Sequence, residues 1–556
     1  MTLLLGFVIL FASWLAPGHY NPWVNFQNEV LAAAAALLVG FAAVGSARES
    51  RLPWPRLALF VMLVATVPLL QTAAGQIRFL SDGVLASAYV AGLALCIVTG
   101  ATLVQTRREE FLGGLFGALL AAGLVSTGMA ALQWLEVGPI PYLEPIAPGE
   151  RPYANLVQPN HLATLLGLAL VGALWLFETR RINGAVLGLA AAWLCLGLAM
   201  SRSRTPWLFV LLFAASWLWM RRRAAVRLGA TALNSALALF VAAVLAWGPL
   251  SRALDVVAPI SVVQRMQGGG GRLNIWLALL DSLWASPWVG YGWSQVSRAA
   301  LVSTQNHYVG EQMLRNSHNV VIDLLVWNGL PLGLLIVAML VWWFVRQVRE
   351  CRDAERWLLL VGISVVAIHA LLEYPLEYLY FLLPVGLMVG AVEGWEGGTR
   401  SWRISRASLF APLVAMAAFT GWVAVEYTRI EEASRQGLML MAGYARNAAP
   451  PDVLLLDGPR EYIRLWKTTA QPGMQSGELE WMRNVVERNP SPPALLRYAA
   501  ATGLNGRPQD AADTLVRLCN MHRTARCEEG RASWRQLQSI HPALAAIAYP
   551  RTPAPP

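Results

Sequence analysis

The sequence is poor in charge. Asp, Glu, Lys and Arg make up 14% of its 556 residues, against about 25% in soluble domains. The deficit comes from repeated apolar runs of roughly 15–25 residues, most of them long enough to cross a hydrocarbon core of about 30 Å. A transmembrane barrel would instead show short segments of alternating polarity. The sequence therefore predicts an all-α polytopic membrane protein.

Lysine and cysteine are also scarce. Lys467 is the single lysine, so the net charge of +10 comes from arginine. A codon bias toward arginine is sufficient to explain this, and we predict no nucleic-acid partner. The five cysteines include no CxxC or zinc-ligand spacing, and the chain has no Asp-x-Asp pair. We therefore expect neither a structural metal nor a cofactor.

Apolar runs recur along most of the chain. The thirteen candidate spans are residues 2–16, 27–46, 57–71, 83–104, 111–135, 160–178, 184–201, 206–220, 229–249, 319–345, 357–372, 375–393 and 408–426. The first run lacks a basic segment before it and a small-residue cleavage site after it. We interpret it as a retained helix and not as a signal peptide.

Arginines in short loops mark the cytoplasmic side of a membrane. Here they cluster after the even-numbered spans, and the turn with Arg202 and Arg204 is the exception. The N-terminus is therefore predicted to be cytoplasmic. Residues 250–318 and the tail are predicted to lie on the opposite, outer side of the membrane. The predicted domains are spans 1–9 in residues 1–249, a large outer loop in 250–318, spans 10–13 in 319–427 and a soluble tail in 428–556.

The tail has a helical pattern. Helices are predicted near residues 478–487, 493–502, 511–521 and 531–540. The pair flanking residues 504–508 looks like a tetratricopeptide hairpin, although true arrays need about three repeats. Cys519 and Cys527 could form a disulfide in an oxidising compartment; two free buried thiols are the alternative.

Polar residues gather at the outer ends of the predicted spans, where they could form a site. They are Gln158, Asn160 and His161 before the sixth span, Arg202 and Arg204 in the turn after the seventh, Arg265 and Arg272 in the large loop, His318, Asn319 and Asp323 at the tenth, and His369, Glu373 and Tyr374 after the eleventh.

Each of these residues also has an ordinary structural interpretation. His161 could simply cap its helix, and Arg202 could reach toward lipid headgroups. Arg204 lies in a turn too short to be a solvated loop, which favours a function. His318 stands among hydrogen-bonding neighbours that could fix its tautomer. Asp323, one turn into its span, could orient a nearby histidine or arginine, or simply reach the interface.

The large loop contains a run of four glycines, residues 268–271, just before Arg272. It lacks the lysine and the Ser or Thr of a phosphate-binding loop. We interpret it as a flexible turn that presents Arg272. Trp276 falls on a short helix after Arg272, where a structural role is expected, and His307 is interpreted as a loop residue.

This set of residues suits a phosphate-bearing substrate. Arginine binds phosphate through two parallel hydrogen bonds and keeps its charge. A neutral histidine can accept a proton from a hydroxyl group. On an outer face without free nucleotide sugars, a polyprenyl-diphosphate-linked glycan is a candidate donor. Histidine would activate the acceptor hydroxyl, and arginines would stabilise the departing diphosphate.

The chain resembles the PglL-type protein O-oligosaccharyltransferases of the Wzy/WaaL/PglL superfamily. The resemblance covers about residues 1–395. It is carried by Gln158-Pro159-Asn160-His161-Leu162-Ala163-Thr164, by Ser317-His318-Asn319 with Gly329-Leu330-Pro331-Leu332-Gly333, by His369-Ala370-Leu371-Leu372-Glu373-Tyr374-Pro375-Leu376, and by the arginine positions Ser203-Arg204-Thr205 and Arg272 with Trp276.

The resemblance implies a metal-independent glycosyltransferase in the bacterial inner membrane, with its active site and tail in the periplasm. By this resemblance His318 is the catalytic base and His161 a second catalytic histidine that supports substrate placement. Arg204 and Arg272 hold the diphosphate, with Arg202 and Arg265 as further candidates. The implied donor is an oligosaccharide on undecaprenyl diphosphate, and the implied acceptor is an exported protein such as a pilin.

Three other functions stay open at this point. An O-antigen ligase would use lipid A-core as acceptor, and a Wzy polymerase would use a growing glycan, with the same donor and the same chemistry. A transporter would place its charges near the bilayer midplane in repeat-related halves, a pattern that we do not find. The Gln158–Thr164 motif, the Leu-Glu-Tyr-Pro hairpin and the long tail favour a protein acceptor.

Overall fold

The structure is a computed structural model that describes residues 1–18, 21–47, 50–256, 271–309, 314–395, 401–441 and 450–551. Arg265 and the glycines 268–270 lie outside these ranges. The described chain is predominantly helical. Its α-helices fall into two groups, those in the predicted spans and those outside them.

The first group of helices coincides one by one with the thirteen predicted spans. These helices are α1 (Thr2–Ser13), α2 (Phe26–Ser46), α3 (Arg56–Ala73), α4 (Leu80–Thr106), α5 (Arg108–Trp134), α6 (Pro159–Glu178), α7 (Gly184–Ser201), α8 (Thr205–Met220), α9 (Ala230–Ala253), α12 (Val320–Glu350), α13 (Ala354–Ala370), α14 (Leu379–Gly394) and α15 (Ala407–Met441). Among the helices in the described ranges, nine are long and apolar enough to cross a membrane: α2–α7, α9, α12 and α15. The protein is therefore a multi-pass membrane protein, and the total of thirteen spans stays a prediction.

The second group lies in the large loop and in the tail. The loop contains α10 (Gly271–Ala285) and α11 (Val296–Ser303), and the tail contains α16 (Asp457–Lys467), α17 (Ser476–Arg488), α18 (Pro492–Leu504), α19 (Pro508–Met521) and α20 (Thr524–Ile540). The short helix expected after Arg272 is present as α10. The four predicted tail helices correspond to α17–α20, whereas α11 and α16 were not predicted because both are short and α16 is rich in charge.

The chain divides into two compact units. The first comprises residues 1–65, 88–265 and 341–424, and the second comprises residues 66–87, 266–340 and 425–556. These units cut across the four segments expected from the sequence, since α3, α4, α12 and α15 each contribute residues to both. The segment boundaries at 250, 319 and 428 therefore stay a prediction.

The first unit contains the larger helical core. Its helices approach closely through small residues, as is common in membrane proteins. A Cβ atom on Gly390 of α14 would lie 2.1 Å from the carbonyl oxygen of Ile97 in α4, so these two backbones pack almost in contact. Phe116 and Trp175 stack between α5 and α6 with ring centroids 5.2 Å apart.

Two short strands, which an all-α prediction does not include, also belong to the first unit. Strand β1 (Arg51–Pro55) pairs antiparallel with β2 (Ser401–Ser405), so that Arg51 faces Ser405 and Pro55 faces Ser401. These strands were not predicted because β1 contains two prolines. Proline lacks the N–H donor of a central strand, and a two-stranded ribbon tolerates it because both strands are edges.

The second unit joins the tail to the large loop and to the ends of α3 and α4. Arg488 at the end of α17 donates to the buried carboxylate of Asp82 at the start of α4, with its Nη2 atom 2.7 Å from Oδ1. The backbone N–H of Val309 donates to the carbonyl of Asn520 over 2.8 Å. The tail is thus packed against the loop through hydrogen bonds and an ion pair.

The tail hairpin α18–α19 turns through Asn505 and Gly506, where Gly506 has a φ of 76°. This antiparallel pair matches the predicted helix–turn–helix, and its assignment to the tetratricopeptide type stays a prediction. Cys519 at the end of α19 is bonded to Cys527 in α20. The disulfide alternative is therefore the one found in the structure.

Helix α12 is broken at Gly329, which has φ 73° and ψ 175°, and Pro331 follows two residues later. The turn after α10, residues 287–293, fills this break. Tyr291 and Gly292 donate their backbone N–H groups to the carbonyls of Val326 and Trp327 over 2.8 and 3.1 Å. Leu330 donates to the carbonyl of Pro287 over 2.7 Å. The backbone groups released by the break are thus satisfied by the turn.

We predict that Gly290→Ala destabilises the protein. A Cβ atom at Gly290 would lie 2.4 Å from the carbonyl oxygen of Val326, and the residue has a φ of +68°, so the strain is of order 1–3 kcal/mol. The measurement is the apparent melting temperature of the detergent-solubilised protein. Gly421→Ala in α15 is the control, because its added Cβ would meet nothing within 4 Å. Equal melting temperatures for the two variants would contradict this account of the turn.

Candidate active site

In the first unit, the predicted residues at the start of α6 form a buried cluster. Pro159 occupies the first turn of α6, where its missing N–H costs nothing. His161 is fully buried, and its Nε2 lies 3.0 Å from the amide nitrogen of Gln158. Its Nδ1 lies 2.9 Å from the hydroxyl of Tyr380. Because the Gln158 amide nitrogen only donates, Nε2 accepts and Nδ1 carries the hydrogen.

Protein groups surround the His161 side chain. Both of its ring nitrogens are engaged by protein groups, so the side chain in this geometry has no nitrogen directed at a substrate. Its ring also meets the aromatic rings of Tyr378 and Phe381 at centroid distances of 4.4 and 5.5 Å. The imidazole therefore connects α6 to α14 and fixes the orientation of the α6 N-terminus.

The hairpin after α13 joins the same cluster. His369 is fully buried, and its Nδ1 lies 2.7 Å from the Thr164 hydroxyl. Asn160 donates its side-chain amide to Glu373 over 3.1 Å. Tyr374 stacks on Tyr378 with a centroid distance of 6.0 Å. The two motifs, separated by about two hundred residues in the sequence, are therefore in contact in the structure.

Arg151 is a member of this cluster that the sequence analysis missed. Its Nε donates to the carbonyl of Ser201 over 2.8 Å, and its Nη2 donates to the Asn160 side-chain oxygen over 3.2 Å. It thus ties the α6 start to the α7–α8 turn. The sequence feature that could have pointed to Arg151 is its position seven residues before Gln158, in a connection predicted to lie on the outer side of the membrane.

The α7–α8 turn carries both predicted arginines. Arg202 caps α7 in the left-handed conformation with a φ of 48°, and it is half-buried. Arg204 precedes α8 and is exposed. The first N–H groups and the dipole of a helix N-terminus favour an anion. At α8 the N–H groups of Thr205 and Trp207 already donate within the turn, and Pro206 has none. The helix dipole and the charge of Arg204 are therefore the two features that would favour a phosphate group here.

In the second unit, His318 is held in an unusual backbone conformation. Its φ is +59°, in the left-handed region that costs a non-glycine residue of order 1–3 kcal/mol. Such strain persists only where neighbouring contacts enforce it. A strained residue at a predicted catalytic position is consistent with a side chain that must point in one direction.

The contacts that enforce this conformation surround Ser317. Its backbone N–H donates to the Asp323 carboxylate over 2.9 Å, and its carbonyl accepts from the Trp276 indole N–H over 2.8 Å. Its hydroxyl donates to the Asn319 carbonyl over 2.8 Å. Asn319 in turn caps α12, since its side-chain oxygen accepts from the N–H of Val321 over 2.9 Å.

These contacts separate the two interpretations of Asp323. The carboxylate is buried and pairs with no arginine in a described contact. It accepts the N–H of Ser317 and so orients the backbone before His318. Arg272 is the second residue of α10, and Trp276 lies one turn farther along the same helix. The helix that carries Arg272 is thus bonded to the peptide of Ser317, which the sequence analysis did not anticipate when it gave Trp276 a structural role.

Two other predicted features can be placed. His307 lies 3.0 Å from Asp281 through its Nε2 and is partly exposed, in agreement with a loop residue. Within the described ranges, no group of three or more His, Cys, Asp or Glu side chains has the arrangement of a metal site.

Comparison with known proteins gives the family. The chain is 30% identical to a general O-oligosaccharyltransferase of Acinetobacter baylyi over 537 residues, which cover 94% of this chain and 93% of the relative. The chain belongs to the O-oligosaccharyltransferase family. It is also 24% identical over 393 residues to a ComP-specific O-oligosaccharyltransferase of the same organism, with 70% of this chain and 71% of the relative covered.

Three family models match separate parts of this O-oligosaccharyltransferase. The protein glycosylation ligase model matches residues 152–177, which include the buried His161 cluster. The O-antigen ligase model matches residues 189–337, which include Arg204, Arg272 and His318. The C-terminal model of virulence-factor membrane-bound polymerases matches residues 357–536. The resemblance inferred from the motifs is therefore confirmed.

We predict that Trp276→Phe lowers the turnover number of oligosaccharyl transfer roughly tenfold or more. The variant keeps an aromatic ring but leaves the Ser317 carbonyl without its donor, a loss of about 1–3 kcal/mol. Steady-state kinetics should show a fall in kcat with little change in the KM of the donor. Trp284→Phe on the same helix, whose ring is exposed, is the control. Unchanged kcat in Trp276→Phe would contradict a positioning role.

Proposed function

We propose that this protein moves a preassembled oligosaccharide from undecaprenyl diphosphate to Ser or Thr residues of exported proteins, such as pilins, on the periplasmic face of the inner membrane. The full-length likeness to a general O-oligosaccharyltransferase carries this proposal. The protein glycosylation ligase match supports a protein acceptor. In this orientation the N-terminus is cytoplasmic, and the large loop and the tail are periplasmic.

The reaction needs a base, and His318 is the proposed one. A ring nitrogen of neutral His318 accepts the proton of the acceptor hydroxyl. The hydroxyl oxygen attacks the anomeric carbon of the first sugar, and the bond from that carbon to the diphosphate oxygen breaks. The undecaprenyl diphosphate leaves with the electron pair. The left-handed backbone held by Trp276, Ser317 and Asp323 supports this role, because it fixes the direction of the imidazole.

The departing diphosphate needs positive charge, and Arg272 and Arg204 are the proposed ligands. Each can form two parallel hydrogen bonds to phosphate oxygens and stabilise the charge that develops as the bond breaks. Arg202 is a further candidate, and Arg265 is another that lies outside the described residues. His161, with Gln158, Asn160, His369, Glu373 and Tyr374, is proposed to shape the donor or acceptor site without reacting.

Two related functions share this chemistry. The matches to the O-antigen ligase and polymerase models would suit transfer to lipid A-core or to a growing glycan. The protein acceptor is favoured because both curated relatives described above are O-oligosaccharyltransferases by name. We expect the reaction to proceed without a metal ion, so EDTA should leave transfer unchanged; loss of activity restored by magnesium would overturn that expectation.

We predict that His318→Ala abolishes transfer while the protein remains folded in the membrane, because the variant lacks the proposed acceptor of the hydroxyl proton. Transfer is measured by mass spectrometry of the acceptor protein, and folding by gel filtration and melting temperature. His307→Ala is the matched control, since His307 lies in the same loop but pairs with Asp281. Full activity of His318→Ala would remove the general-base proposal.

We predict that Arg272→Ala and Arg204→Ala each lower kcat/KM for the lipid-linked donor at least tenfold, which corresponds to the loss of one charge-assisted contact of about 1.4 kcal/mol or more. Arg265→Ala should have a smaller effect. The comparison uses the same donor at several ionic strengths. Equal losses in all three variants would indicate a general electrostatic attraction by the loop and not a specific diphosphate site.

A further inference from the structure

Helix α10 of the large loop has two apolar faces, one buried and one exposed. One face is buried in the second unit through Ile275, Ala278, Leu279 and Leu283. The opposite face is exposed, and its large side chains are Leu273 (58% exposed), Leu277 (55%), Leu280 (39%) and Trp284 (75%). Their spacing of four, three and four residues places them on one stripe along the helix.

The exposed stripe continues past the end of α10. Trp288 and Val289, in the turn that follows, are 76% and 60% exposed. Contiguous apolar surface of this kind in contact with water is rare on soluble proteins and marks an interaction site. The stripe is bordered by the polar pair Asp281 and His307, whose contact is 3.0 Å, so one edge of the helix faces water.

The position of the turn identifies what covers the stripe. The turn hydrogen-bonds to residues 326–330 of α12, which lie in the second and third turns of that candidate span. At 1.5 Å per residue, this is about 9–15 Å along the helix from Val320. The turn also contacts α3, another candidate span, because Gln71 accepts from the N–H of Trp293 over 3.0 Å and donates to the Trp327 carbonyl over 2.9 Å. Gln71 is in the last turn of α3. Residues 287–293 therefore lie beside the last turn of α3 and two to three turns from the start of α12 at Val320.

We propose that α10 and the turn after it form an interfacial element whose exposed stripe contacts the lipid of the bilayer. Helices of this type bury their apolar face about 5–10 Å into the boundary between headgroups and acyl chains, and tryptophan is enriched at that boundary. The hydrogen bonds between the turn and the broken α12 satisfy the requirement that irregular backbone at membrane depth be paired within the protein.

This placement also fixes the level of Arg272. It is the second residue of α10, so a helix lying in the interface holds its guanidinium near the lipid headgroups. This consequence alone rests on the proposed function, because it puts the arginine at the level of a lipid-linked diphosphate. The lipid contact itself does not depend on the reaction that the protein catalyses.

The test is site-directed spin labelling in lipid nanodiscs. A background with Ala at the three buried free cysteines, Cys96, Cys195 and Cys351, receives one nitroxide at Leu277→Cys or Trp284→Cys. The references are Leu334→Cys on the exposed face of α12 and Leu454→Cys in the tail, which are 53% and 66% exposed. Power saturation compares collision with oxygen, which concentrates in lipid, and with a water-soluble nickel complex.

We expect the labels at 277 and 284 to show more oxygen collision and less nickel access than the label at 454, with values between those at 454 and 334, as suits an interfacial depth. Nickel accessibility equal to that at 454 would place the stripe in water and overturn the proposal. Exclusion of both reagents would place it against protein and overturn it equally. Because the readout is independent of transfer, a failure here and a failure of the enzymatic proposal are distinguished.

Discussion

The fixed backbone of Ser317 is the constraint on which the second unit depends. Its N–H is held by Asp323 and its carbonyl by Trp276, and together they keep His318 in a left-handed conformation that an isolated chain would seldom adopt. One of these partners belongs to α12 and the other to α10, so the imidazole is aimed jointly by a membrane helix and by the helix that carries Arg272. Strain at this residue is thus maintained by packing around it, and such rigidity suits the base that we propose at this position, which must meet a hydroxyl group in one geometry.

The break in α12 places a second constraint on the second unit. A helix interrupted at membrane depth would leave carbonyl and N–H groups without partners, at a cost of several kcal/mol for each unpaired group. The turn after α10 supplies those partners, and the close contact of Gly290 with Gly329 makes the fit possible, since a Cβ on Gly290 would lie 2.5 Å from the nitrogen of Gly329. The tail adds a further restraint, because Asn520 accepts from Val309 in the loop and Arg488 pairs with Asp82 of α4.

Much of the helical fold could be predicted, because long apolar runs and alternating arginine clusters are direct consequences of the bilayer. The motifs identified His161, His369 and His318, since polar residues at span ends stand out against an apolar background. The contacts of Trp276 and Arg151 could not be predicted in the same way, because they join residues 41 and 50 positions apart in the sequence. The β1–β2 ribbon was missed because its prolines argue against a strand. The resemblance placed a turn in the helix at residues 329–333, but the hydrogen bonds by which residues 287–292 fill it join distant parts of the chain, which local pattern does not reveal.

The most direct test of the account is a competition between acceptors. Purified protein in detergent would receive a polyprenyl-diphosphate oligosaccharide together with a pilin-like protein and lipid A-core, and mass spectrometry would identify the product that carries the glycan. The account predicts glycan on serine or threonine of the protein, and none on lipid A-core. Glycan on lipid A-core, or glycan chains that lengthen while both acceptors stay unmodified, would contradict it.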